Sequence, residues 1–119
     1  MENLKPQLKE RAYIYALNAV KFVDGLTKDQ TCKIIGTQLL RSATSVGANI
    51  MEAQAGSSKK DFTNFFTYSL KSANESKFWI GLLRDSGKAD KTKANVLLQE
   101  TNEISNILGA SILTLKGKK

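Results

Sequence analysis

Histidine is absent from the 119 residues of this chain. That removes the commonest general base, most zinc sites and the Glu-x-x-His iron sites of helical bundles. The single cysteine, Cys32, has no partner for an internal disulfide, and reads as a small buried hydrophobe in a reducing cytoplasm. The single proline, Pro6, leaves residues 7–119 without an obligate helix breaker. No run of about 18 apolar residues occurs, and no basic-then-apolar leader opens the chain, so neither a membrane span nor secretion is expected. A glycine-rich nucleotide loop, a nucleophile elbow and a Cys-x-x-Cys pair are also missing.

What is present is lysine, arginine and helical periodicity. A formal net charge of +7 is sizeable for this length and favours anionic partners, nucleic acid among them. Lysine kept for solubility accounts for the same charge. The length is that of one domain, which buries roughly two-thirds of the surface its unfolded chain exposes.

The chain is organised around QLLRSATSVGANIMEAQA, from Gln38 to Ala55. Cys32, Ile35, Leu39, Ala43, Val46, Ile50 and Ala53 recur at three- and four-residue steps and so share one helical face. Gly36, Ala43, Gly47 and Ala48 thin its flanks, where a neighbouring backbone can come close. Glycine inside a helix costs up to about 1 kcal/mol relative to alanine, so a packing reason is expected for two of them.

The same periodicity predicts four helices, over about 7–24, 28–55, 59–84 and 91–115. The first carries Leu8, Ala12, Tyr15, Ala16, Ala19, Val20 and Val23, and stops at Asp24-Gly25, with glycine as a left-handed cap. Thr27 and Gln30 form a capping-box pattern for the second. Ser58 and Asp61 cap the third, and Asp90 the fourth. Short connections predict an all-α, up-down-up-down four-helix bundle in a single domain. The third helix holds six of the nine aromatic residues. Phe62, Phe65, Phe66, Ser69, Ala73, Ser76, Ile80 and Leu83 line its core face, while Tyr68, Phe78, Trp79 and Leu82 project from another side. A helix apolar on two sides needs burial on two sides, which points to a subunit interface.

In such a bundle the start of the first helix, the Gly56-Ser57-Ser58 turn and the C-terminus meet at one end. Lys5, Lys9, Lys59, Lys60, Lys116, Lys118 and Lys119 gather there, offset by Glu2, Glu10, Glu52 and Asp61. Free N–H groups at a helix start, beside Ser57, Ser58 and two lysines, make a candidate phosphate cradle. Arg41 and Glu75 lie at nearly equal distances from the turn, and hence at one height, able to bridge two helices of one chain or cross to a neighbour. With Glu52, Tyr68, Phe78, Trp79 and Leu82 they form the candidate oligomer interface. Glu52, Glu75, Glu100 and Glu103 lie on three bundle helices, and paired carboxylates can bind metal or move protons, but without histidine they read as solvated or salt-bridged. No catalysis, cofactor or metal is expected.

The run LLRSATSVGANIMEA, then SSKKDFTNFF and SANESKFW, resembles the four-helix bundle protein family, also called 23S rRNA-intervening sequence proteins. The resemblance covers about residues 13–115. It implies a small helical bundle assembling as a homopentamer, without an established biochemical role. It also marks Arg41, Ser42, Gly47, Asn49, Glu52, Lys59, Asp61, Phe62 and Glu75 as motif positions, none of them thereby catalytic. The chain is similar as well to the accessory variability determinant of diversity-generating retroelements, a basic pentamer that binds nucleic acid and a reverse transcriptase. The expectation is a cytoplasmic, self-assembling bundle that binds RNA or DNA with little sequence preference. The alternative is a protein-binding scaffold, or an adaptor for a nucleic-acid enzyme.

Overall fold

Three short turns and the caps beside them set the architecture. A computed structural model describes residues 5–117. It contains four helices: α1 (Lys5–Asp24), α2 (Gln30–Ala55), α3 (Lys59–Asp85) and α4 (Lys91–Leu115). Ser58 and Asp90 cap α3 and α4 as expected, their side chains accepting from the N–H groups of Asp61 and Lys93. The turn after α3 needs Gly87, whose φ of 77° lets the N–H groups of Lys88 and Ala89 return to the Leu83 carbonyl.

The turn between α1 and α2 departs from expectation in two ways. Gly25 does not take the left-handed conformation; its N–H bonds the Lys21 and Phe22 carbonyls, and Leu26 is carried straight into the core. The cap of α2 is Asp29, not Thr27. Asp29 Oδ1 accepts from the Cys32 N–H at 2.8 Å, and the Thr27 hydroxyl donates to Asp29 Oδ2 at 2.9 Å. A carboxylate serves the dipole at a helix start better than a hydroxyl does, so α2 opens two residues later than the capping-box pattern predicts. The Cys32 N–H first, then Thr27 and Lys88, hold the Asp29 carboxyl well below the usual carboxylate range.

Each helix packs on its sequence neighbours, α4 returns to α1, and the backbones of the diagonal pairs stay apart, so the bundle is up-down-up-down. It measures 44 × 25 × 19 Å. Leu39, Ala43, Val46 and Ile50 of α2, Ile80 and Leu83 of α3, and Ile104 and Leu108 of α4 are fully enclosed. The two interior glycines of α2 play different parts. A Cβ on Gly36 would lie 3.0 Å from Val23 Cγ1, so α1 presses on it; a Cβ on Gly47 would meet Ala12 at an ordinary 3.5 Å.

The core also contains a hydroxyl layer to which every helix contributes. Tyr15 Oη lies 2.7 Å from Thr101 Oγ1, and Ser42 Oγ lies 2.8 Å from Ser76 Oγ. Ser76 also reaches the Tyr15 phenol. Thr101 donates to the Leu97 carbonyl, which leaves it to accept from Tyr15; Ser42 and Ser76 each lie within reach of a carbonyl of their own helix, at Leu39 (3.2 Å) and Ser72 (2.9 Å), and one of the two gives its single proton to the other. Ser69 Oγ donates to the Val46 carbonyl at 2.8 Å. Among the described residues no buried side-chain nitrogen or oxygen lacks a partner, as the penalty for an unpaired buried hydroxyl requires.

Burial pushes the Tyr15 phenol up from its ordinary value of 10.0. The neutral phenol is therefore favoured in the fold. Its contribution is complete below about pH 10, the unfolded value, and is lost as pH rises through the higher folded value. Tyr15→Phe leaves the Thr101 hydroxyl bonded to Leu97, so a loss of about 1 kcal/mol at neutral pH is expected in urea unfolding. Above pH 10 the variant should lose stability less steeply than the parent. Parallel alkaline profiles would rule out Tyr15 as the titrating group.

Candidate nucleic-acid interface

The start of α1, the α2–α3 turn and the end of α4 do meet at one end of the bundle. Gly56 crosses this turn in extended conformation, with φ −66° and ψ 151°. A Cβ there would sit 3.2 Å from both the Ala53 carbonyl oxygen and Asp61 Cβ, so close approach, not backbone handedness, requires glycine. The Ser58 hydroxyl accepts from the Asp61 N–H at 3.1 Å, and the Ser57 hydroxyl donates to Asp61 Oδ2 at 3.3 Å. This revises the phosphate cradle. Both serines are turned onto Asp61, whose own carboxylate lies in the first turn of α3, where an incoming anion would benefit from the dipole.

Lysines dominate what remains of this end. Lys9, Lys59, Lys60 and Lys116 are exposed, and none forms an ion pair among the described residues. Glu10, Glu52 and Asp61 share the end with them. The Lys5 side chain, Lys118 and Lys119 lie outside the described residues.

Sequence reasoning missed a second group of cations, at the opposite end. Lys21, Lys28, Lys33, Arg84, Lys88, Lys91 and Lys93 surround the α1–α2 and α3–α4 turns, with Asp24, Asp29, Asp85 and Asp90 among them. Lys88 Nζ meets Asp29 Oδ2 at 3.1 Å and ties the two turns together. Arg84 Nε meets Asp85 Oδ1 at 2.9 Å and, first among the causes, holds the Asp85 carboxyl below its usual range. The positive charge is therefore shared between the two ends. The signal was present in the lysines flanking Thr27 and Asp90, but those stretches read first as turns.

On the flank of the bundle, Arg41 Nη2 meets Glu75 Oε2 at 2.5 Å within the chain, linking α2 to α3. The same Glu75 oxygen accepts from Trp79 Nε1 at 2.9 Å, and Gln38 Oε1 accepts from Arg41. Tyr68, Phe78 and Leu82 are exposed, Phe78 at 61%. Trp79 is different: it is half-buried against the core and meets Phe78 edge-on at 5.0 Å. The second stripe of α3 thus divides, with Trp79 folded inward and the other three facing out. Glu52 lies on the exposed outer side of α2, about three turns from Arg41, and the structure does not bring it to the Arg41–Glu75 pair. An unexpected apolar face lies on α1, where Tyr13, Ile14, Leu17 and Val20 are exposed, Tyr13 at 67%. Val20 was expected in the core and instead faces out. Beside this face a groove of about 740 Å³ runs between α1 and α2, floored by Ala12, Ala16, Gly47 and Ala48.

The remaining carboxylates are dispersed. Glu103 pairs with Arg11, which with Gln99 holds its carboxyl below the usual range, and Glu100 accepts from Asn18. Among the described residues no group of three His, Cys, Asp or Glu side chains is placed to hold a metal. No helix of the described residues is long and apolar enough to cross a membrane.

The family model described as 23S rRNA-intervening sequence protein matches residues 5–110. Among solved structures, a protein of unknown function from the S23 ribosomal protein family of Bacteroides thetaiotaomicron is similar. It has a TM-score of 0.85 and 30% identity, over 91% of this chain and 96% of that one. No curated protein matches the chain.

The Arg41–Glu75 pair is 58% and 36% exposed, so solvent screens it, and a coupling of about 0.2–1 kcal/mol is expected in the isolated chain. Glu75→Gln keeps an acceptor for the Trp79 indole and should destabilise less than Glu75→Ala. A double-mutant cycle with Arg41→Ala, read by urea unfolding, measures the coupling. Strictly additive losses would show that the ion pair contributes nothing.

Proposed function

The chain belongs to the 23S rRNA-intervening sequence protein family, and for this member we propose a non-catalytic, self-assembling bundle that binds nucleic acid with little sequence specificity. The observation that carries the reading is the set of exposed, unpaired lysines Lys9, Lys59, Lys60 and Lys116, drawn from three segments to one end. Lysines of this kind act as point charges on phosphates and read no base. Lys5, Lys118 and Lys119 belong to the same proposed site by sequence. RNA and DNA satisfy this chemistry equally.

Self-assembly is supported by the exposed apolar side chains that gather on the outer faces of α1 and α3. A pentamer is the assembly that family membership suggests. A ring would repeat the lysine end around its axis and strengthen its field. The cytoplasm is the compartment that fits a chain with one thiol, buried and unpaired.

Replacing Lys59 and Lys60 together with glutamine should weaken nucleic-acid binding for all sequences alike, and flatten its salt dependence by about two phosphate contacts. Fluorescence anisotropy at two salt concentrations reads both quantities. The same change at Lys28 and Lys33 serves as the comparator. If only the comparator lowers affinity, the site belongs to the opposite end. Salt-insensitive or absent binding by the parent protein would favour the scaffold reading and remove nucleic acid from the proposal.

A further inference from the structure

The end of the bundle formed by the α1–α2 and α3–α4 turns is no less basic than the end assigned to nucleic acid. Lys21, Lys28, Lys33, Lys91 and Lys93 are exposed there, and none forms an ion pair among the described residues. They come from three segments of chain: the end of α1, the start of α2 and the start of α4. The aspartates beside them are mostly engaged by the fold. Asp29 caps α2 and takes the Thr27 hydroxyl and Lys88, Asp90 caps α4, and Asp85 pairs with Arg84. Only Asp24 of the four makes no such contact among the described residues.

The two basic ends face away from each other along the 44 Å axis of the bundle. Physiological salt screens exposed charges beyond about 8 Å, so a phosphate backbone seated on one end barely repels another on the opposite end. Each end can therefore hold its own segment. The flanks between them offer a continuous backbone little to follow. Arg11 and Arg41 are paired with Glu103 and Glu75, and Glu100 accepts from Asn18. Tyr13, Leu17 and Phe78 stand exposed on the outer faces of α1 and α3. Lys71 and Lys77 of α3 are the lysines that remain there among the described residues.

We propose that this protein bridges two nucleic-acid segments, one on the lysines of the α2–α3 end and one on the five lysines of the opposite end. The proposal rests on the nucleic-acid reading above and adds to it a second site and an activity, the holding of two segments on opposite ends of the 44 Å bundle. Lysine ammonium groups address phosphates and read no base, so the two segments need share no sequence.

Short duplexes test the bridge. About ten base pairs span roughly 34 Å, too short to run along the 44 Å flank from end to end. With one such duplex sparsely tethered to a sensor surface, the parent protein should bind it and then capture a second duplex from solution. Lys28→Gln, Lys33→Gln, Lys91→Gln and Lys93→Gln together should leave binding to the tethered duplex through the α2–α3 end. They should cut capture of the second duplex by about tenfold or more, because four phosphate contacts are removed. Lys59→Gln with Lys60→Gln should also lower capture, since a bridge needs both ends, and helical circular dichroism should be retained in both variants. Capture that survives the fourfold change would overturn the bridge, placing both duplexes on the α2–α3 ends of associated copies. A parent that holds the first duplex and takes no second would overturn it as well, and either result leaves nucleic-acid binding standing. A parent that binds no duplex at all would overturn both readings.

Discussion

A hydroxyl buried in an apolar bundle must find a partner, and in this protein the partners lie on different helices. Tyr15 of α1, Ser42 of α2, Ser76 of α3 and Thr101 of α4 meet in one layer where none is more than 1% exposed. Leucine and alanine contacts tolerate a helix sliding by part of a turn, because dispersion and burial are nearly indifferent to which methyl meets which. A hydrogen bond is not indifferent, and a slip would leave donors and acceptors unpaired inside the core. The layer therefore fixes the heights of the four helices against one another.

Much of the outer surface follows from that alignment. With Ser42 level with Ser76, Arg41 and Glu75, each one residue earlier on its helix, stay within about a turn of the same height and come within reach. With Tyr15 beside Ser76, α1 and α3 end together, and the outward residues of both can be compared height for height. Lys88 reaches Asp29 across the far end because the α1–α2 and α3–α4 turns arrive at the same level. The exposed ion pairs contribute little individually; they report the alignment more than they create it.

The surface then separates by chemistry. Lysines crowd the two ends, while exposed apolar side chains stand on the outer faces of α1 and α3. At the α2–α3 turn the serines and Asp61 satisfy one another, which leaves electrostatics from lysine side chains as the means of attraction there.

Local chemistry was legible in the residues alone. Four helices, three turns, the caps at Ser58 and Asp90, and most core positions follow from a 3.6-residue period and from turn residues, which act over a few positions of chain. The meeting of Arg41 with Glu75 was legible too, because a short turn makes distance along two antiparallel helices countable. Other features depended on neighbours far away in sequence. The setting of the Asp29 cap was one of them: after the Cys32 N–H and the Thr27 hydroxyl, Lys88 reaches its carboxylate from the neighbouring α3–α4 turn. Adjacent residues on a helix point about 100° apart, so Phe78 and Trp79 could not be assigned inward or outward until α2 supplied Glu75's partner and the core supplied a seat for the indole. The hydroxyl layer, the outward turn of Tyr13 and Leu17, and the division of lysines between two ends belong to the same class. Periodicity states that a helix has a face; only the packing of four helices decides which way that face looks and what stands opposite it.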